Sequence, residues 1–261
     1  MWRLFGLAVV SMAIWTTGAQ AVEFKNVRAI YGPFGATRPT NEILPGDVVF
    51  LEFEITGLPV DPKHGMVEYG TKLVVIDPKG KEVLNKSDKK KLALGLGGNV
   101  VPERAIFIFG TDFAAGTYKL VVTITDIATK QFKEQTQIVK VLPPDFGFVH
   151  VSAPAVGLLG QDFPVEYALV GFGTDKKKNP KMVVTSRVLD ENGKPTATEP
   201  LVSNIPEDLQ PGQVVGEVVR LVSPVFLNRP GRFTLEIVAR DELSKKSAKF
   251  TYTFKVIDTA K

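Results

Sequence analysis

Apolar and polar residues alternate along much of this chain. Between Gly116 and Asp126, Tyr118, Leu120, Val122 and Ile124 share one parity, while Lys119, Val121, Thr123 and Thr125 share the other. A period of two places the first set on one face of an extended strand. Phe233, Leu235, Ile237 and Ala239 repeat that face later. The run from Val48 to Ile55 is rich in β-branched and aromatic residues and is bounded by Pro45-Gly46 and Gly57, which predicts another strand. Asp77-Pro-Lys-Gly80 and Asp190-Glu-Asn-Gly193 are turn sequences, with Gly where a positive φ is needed. Beyond residue 21, apolar residues nowhere recur at helical spacing for more than a turn or two. The pattern predicts an all-β chain.

These elements occur twice. Gly116-Thr-Tyr-Lys-Leu through Asp126 matches Gly231-Arg-Phe-Thr-Leu through Asp241 at an offset of 115. Gly46 and the run to Gly57 match Gly160 and the run to Gly171 at 114, and Val75-Ile-Asp-Pro-Lys-Gly-Lys81 matches Val188-Leu-Asp-Glu-Asn-Gly-Lys194 at 113. Three blocks in one order, with offsets drifting by two residues, indicate a duplication with small loop changes. The break between copies falls at Leu142-Pro143-Pro144-Asp145, where two prolines cannot extend a ladder. Six or seven strands in ~115 residues without helices predict a β-sandwich in each copy. The expected organisation is a sandwich over 22–142, a Pro-rich linker at 143–145 and a second sandwich over 146–261.

Residues 1–21 have a different pattern. Arg3 precedes an apolar run from Leu4 to Trp15, then a polar Thr16-Thr17-Gly18 and Ala19-Gln20-Ala21. A charged start, a short apolar stretch and an A-x-A site define a secretory signal peptide cleaved after Ala21. The alternative, an uncleaved anchor, needs about 20 apolar residues. Both tryptophans, Trp2 and Trp15, lie in this segment. The remaining chain is expected to be exported, without a membrane span, to the periplasm or the extracellular face of a cell envelope, and the lack of cysteine fits a bacterial source.

Ala115-Gly116-Thr117-Tyr118-Lys119-Leu120 resembles the tyrosine-corner region of immunoglobulin-like sandwiches. That resemblance makes 117–126 strand F and 131–142 strand G, with Leu120 where antibody-type domains carry cysteine. In the second copy Phe233 stands for Tyr118, so only the packing of the corner would persist. The strand C tryptophan and the disulfide are missing. The pair is similar to divergent immunoglobulin-like or fibronectin-III-like modules of bacterial surface and periplasmic proteins, which implies two tandem Ig-like β-sandwich domains and no particular activity.

Composition narrows the chemistry. The chain has no cysteine and two histidines, which excludes disulfides, thiolate metal sites and thiol catalysis. The formal charge of +4 reflects 32 basic against 28 acidic residues, too small an excess to define a nucleic-acid surface. His64, in Asp61-Pro-Lys-His-Gly65, reads as a loop residue, and His150, in Phe148-Val-His-Val151, as a strand or interface residue. Neither has metal-ligand spacing. Gly95-Leu-Gly-Gly98 lacks the following helix that a phosphate cradle needs and reads as a loop. Asp126 and Asp241 hold one place in both copies, either as Ca²⁺ ligands or, the favoured reading, as side chains closing the F–G turn. Asn85-Lys-Ser87 is a glycosylation sequon only in a eukaryotic host. Two lysine clusters, one including Lys89, Lys90 and Lys91 and the other Lys176, Lys177 and Lys178, are expected on loops. They serve either as polyanion-binding sites or as solvated charges that keep strand edges apart.

The functional expectation is a non-catalytic binding, adhesive or spacer module of the envelope, with no cofactor and with an unknown protein or envelope polymer as partner. The alternative is a periplasmic two-domain chaperone-like protein that holds a partner through an edge strand. A carbohydrate-binding accessory is disfavoured by the loss of both tryptophans with the leader, and an enzyme of unrecognised type is the residual reading.

Overall fold

The computed structural model describes residues 21–209, 212–215 and 217–258. The signal-peptide segment, apart from Ala21, lies outside the described residues. Every regular element among the described residues is a strand.

The first sandwich is built from β1 (Glu23–Ile30), β2 (Glu42–Ile43), β3 (Val48–Thr56), β4 (Met66–Ile76), β5 (Glu82–Ala93), β6 (Val101–Ile108), β7 (Gly116–Asp126) and β8 (Phe132–Val141). One sheet runs β1-β3-β6 and the other β2-β8-β7-β4-β5. The second sandwich comprises β9 (Gly147–Ser152), β10 (Val156–Leu158), β11 (Asp162–Val170), β12 (Met182–Leu189), β13 (Leu201–Ile205), β14 (Val214–Val215), β15 (Val218–Phe226), β16 (Gly231–Asp241) and β17 (Ser247–Ile257). Its sheets run β14-β15-β11-β9 and β10-β17-β16-β12-β13. The second copy repeats the first strand for strand, with β14 added. Strands A, B and E are β1, β3 and β6, matched by β9, β11 and β15 in the second copy. Strands C, C′, F and G are β4, β5, β7 and β8, matched by β12, β13, β16 and β17. Both copies have A, B and E in one sheet and G, F, C and C′ in the other, an immunoglobulin-like order. The chain is two tandem Ig-like β-sandwiches. Strands F and G, expected at 117–126 and 131–142, form Gly116–Asp126 and Phe132–Val141.

Alternation decides the faces. In β7 the side chains of Tyr118, Leu120, Val122 and Ile124 are all buried, and in β16 those of Phe233, Leu235, Ile237 and Ala239. With no cysteine to staple the chain, these interiors supply the stability, about 1.5–3 kcal/mol for each fully buried large aliphatic or aromatic side chain. The turns are built alike. Asp77 Oδ1 accepts the N–H groups of Lys79 and Lys81 at 2.9 and 2.8 Å, and Asp190 Oδ1 accepts those of Asn192 and Lys194, both at 2.9 Å. Gly80 and Gly193 follow at φ 83° and 75°. Gly116 and Gly231 open strand F at φ 147° and 142°, and a Cβ on Gly116 would also lie 2.5 Å from Pro78.

A bulge in the first strand of each copy also repeats. Pairing of β1 with β3 slips between Lys25 and Arg28, and pairing of β11 with β9 slips opposite Val149–Ser152. Asn26 and His150 sit in these bulges at φ 52° and 54°.

Candidate functional site

The two repeated aspartates are structural. Asp126 Oδ1 accepts the Ala128 N–H at 2.9 Å, and its other oxygen takes the Thr129 hydroxyl. Asp241 Oδ1 accepts the Leu243 N–H at 2.9 Å, and Oδ2 takes the Gly173 N–H at 2.7 Å together with the Ser244 hydroxyl. Burial alone would raise the Asp241 pKa, but these donors outweigh it and hold the carboxyl below its ordinary range. Lys130 and Lys245 close the two turns, both at φ 62°. Among the described residues, no group of three or more His, Cys, Asp or Glu side chains is placed to hold a metal ion.

His64 lies on an exposed turn with Nδ1 2.7 Å from Asp61 Oδ2. His150 lies between the sandwiches. Its backbone N–H donates to Asp47 Oδ1 at 2.8 Å, and the same oxygen accepts the Val48 N–H at 2.8 Å. Asp47 Oδ2 is paired with the Arg38 guanidinium, the two side chains being 3% and 7% exposed. The guanidinium carbon of Arg38 stands 4.8 Å from the centre of the Tyr31 ring. Burial lowers the pKa of His150, with Asp47 acting in the opposite sense.

The remainder of this joint comes from the loop between β1 and β2. Tyr31 packs edge-on to Phe250 and Tyr252, at centroid distances of 5.3 and 6.0 Å. Tyr252 Oη donates to the Ala153 carbonyl at 2.5 Å and accepts the Ala36 N–H at 2.9 Å. Burial pushes the Tyr252 pKa up to about 12. The Ala155 N–H donates to the Phe34 carbonyl at 2.8 Å. Gly32 is required here, because a Cβ would fall 2.1 Å from Ser152 Oγ. Leu44 contributes an apolar contact beside Val149, Ala168 and Val170. The first copy thus completes the core of the second. Sequence reading missed Asp47 and Arg38. Their one visible signal is a departure from the repeat, since Gln161 stands where the duplication would place a second Asp47.

The lysine clusters differ from expectation in one respect. Lys89, Lys90 and Lys91 are not on a loop but on β5, the edge strand beyond β4. The polar run from Asn85 to Lys91 has no alternation to mark it as a strand, and β5 is held in the sheet by its pairing with β4 alone. Lys90 turns inward, its Nζ 2.7 Å from Glu103, which also accepts the Tyr69 hydroxyl at 2.7 Å. Burial raises the Glu103 pKa, but Lys90, the Arg104 N–H and Tyr69 together bring it below its ordinary value. Lys89 and Lys91 are exposed. Lys176, Lys177 and Lys178 do occupy a turn, held by Asp175 Oδ1 accepting the Lys177 and Asn179 N–H groups at 2.7 and 2.9 Å.

No protein-family model matches the chain, and no curated protein matches it. No helix among the described residues is long and apolar enough to cross a membrane.

Proposed function

We propose that this chain is an exported, non-catalytic module of a cell envelope that binds a partner, protein or anionic polymer, through an outer strand edge. The observation that carries the reading is β5. It is twelve residues long, paired on one side only, and bears Lys86, Lys89 and Lys91 facing solvent. A long, free edge recruits an extended partner strand, and exposed lysines both deter self-pairing and attract anions. The buried joint of Arg38, Asp47 and His150 supports a unit that bears load as one piece. The same free edge favours the chaperone-like alternative, in which the partner strand is a folding subunit.

The test is capture from an envelope fraction at low and high salt, with bound species identified, using the purified protein and its Lys89→Glu, Lys91→Glu variant. A polymer released by salt and lost in the variant supports the anion reading. A defined protein retained at high salt supports strand addition, and fibre-forming subunits would select the chaperone-like form. No capture in either condition overturns the proposal in favour of a spacer. Mass analysis of the exported chain is expected to show residues 1–21 removed.

A further inference from the structure

The two copies differ at the flank between their sheets. In the first, Phe107, Phe109, Phe113 and Tyr118 form a continuous edge-to-face cluster, with Phe107–Phe109 at 4.7 Å and Phe109–Phe113 at 5.4 Å. Matching backbone partners identify the counterparts. Phe107 lies opposite Val49 as Val225 lies opposite Phe163. The Phe109 N–H donates to the Asp47 carbonyl as the Leu227 N–H donates to that of Gln161. Phe113 has no counterpart, because the loop that carries it spans 109–115 in the first copy and only 227–230 in the second. Phe163 and Phe254 stack at 4.5 Å and refill the interior, but the flank stays open.

What remains is a cavity of about 300 Å³, walled by Leu201, Phe226, Leu227, Phe233, Phe254 and Val256. This is the lower end of the range for small-molecule sites. Phe226 and Leu201, 63% and 66% exposed, stand at its mouth. Arg229 also lines it, with its guanidinium carbon 4.9 Å from the centre of the Phe233 ring, and among the described residues no carboxylate is paired with it. Arg187, by contrast, is bound to Glu236 at 2.6 Å. Arg187 and the exposed Glu199 lie on the same lining, Glu199 with the opposite charge.

We infer that this flank is a binding site for a small apolar carboxylate, an aryl or branched acyl group whose head pairs with Arg229. The body takes the place that Phe113 fills in the first copy. The walls are aromatic and aliphatic and suit a ring. The Arg229 guanidinium, exposed at the rim over a ring face and without an acid of its own, favours a carboxylate over an equally sized neutral group. The inference stands apart from the edge-strand proposal, since β5 belongs to the other sandwich.

The test is an NMR titration of the ¹⁵N-labelled protein with three probes sharing one body: 3-phenylpropionate, 3-phenylpropionamide and phenethylamine. Shifts are expected at 186–188, 196–201 and 224–229, with the carboxylate bound about threefold more tightly than the amide, as an exposed ion pair implies. Arg229→Gln should level carboxylate and amide while leaving the amide unchanged. Ala197→Trp, at an exposed position on the rim, should abolish the shifts without lowering the melting temperature. No shift with any probe up to its solubility limit, or shifts outside the flank, overturns the site. Tightest binding of the amine overturns the assigned polarity and gives the selection to Glu199.

Discussion

The carboxylate of Asp47 accepts the backbone N–H of His150 at 2.8 Å, so a side chain of the first sandwich terminates a bulge in the second. The same carboxylate neutralises the buried Arg38. Asp47→Ala would leave that guanidinium unpaired and the His150 N–H without its acceptor, and is expected to cost about 3–5 kcal/mol. Because the contact joins the copies, urea unfolding should also change from one transition to two. The paired replacement Arg38→Met with Asp47→Leu should cost less than Asp47→Ala alone, since it removes both charges. Equal cost would show that the ion pair is incidental to the joint.

His150 occupies a left-handed conformation that Asn tolerates better, and the first copy has Asn26 in the same bulge. His150→Asn should therefore fold normally. It should also remove a pH dependence. Burial holds the folded-state pKa of His150 below its ordinary value, while Asp47 opposes this and Arg220 reinforces it. As pH falls past about 6.5 the unfolded chain takes up the proton first. Stability from this group is thus complete above that pH and is lost as pH falls toward the folded-state value. Urea midpoints between pH 8 and 5 should decline in the parent and stay flat in His150→Asn. The carboxyl of Asp241, also depressed, adds a loss with the same sign in the more acid range.

Two tyrosines separate fold from joint. Tyr118 Oη donates to the Ala114 carbonyl at 3.0 Å within the first sandwich, the corner bond of an immunoglobulin-like domain. Tyr118→Phe should cost about 1 kcal/mol, and Phe233 shows that the second copy folds without the hydroxyl. Tyr252 Oη serves both Ala153 and Ala36, so Tyr252→Phe leaves two backbone groups wanting and should cost about 2 kcal/mol. Thermal unfolding of each variant measures the difference, and a larger loss for Tyr118→Phe would misplace the joint.

The sandwiches were legible because alternation and duplication are local signals. Tyr118 and Phe233 announce their faces by parity, and Asp77 and Asp190 announce their turns by composition. The joint was not legible, because Asp47 and His150 are far apart in sequence and neither pattern nor propensity links them. The lysine strand was misread for a related reason. An edge strand with both faces polar has no alternation to display, and only its pairing with β4 makes it a strand. The flank cavity was hidden as well, since it depends on a loop three residues shorter and on Phe107 and Phe109 giving way to Val225 and Leu227.

The lysines themselves divide by geometry. Lys90 is committed to Glu103, which is 11% exposed and also holds the Tyr69 hydroxyl. Lys90→Ala should lower stability by about 1–2 kcal/mol, a value reduced by the partial exposure of Lys90. It should leave retention on an immobilised polyphosphate column almost unchanged. Lys89→Ala with Lys91→Ala should do the reverse, keeping the unfolding midpoint and eluting at lower salt, because exposed charges act through a field screened within about 10 Å at 0.1 M. Replacing Lys176, Lys177 and Lys178 on their turn tests the second cluster in the same assay. If Lys90 governs retention as strongly as its neighbours, the ion pair with Glu103 opens in solution, and the separation into structural and exposed lysines fails.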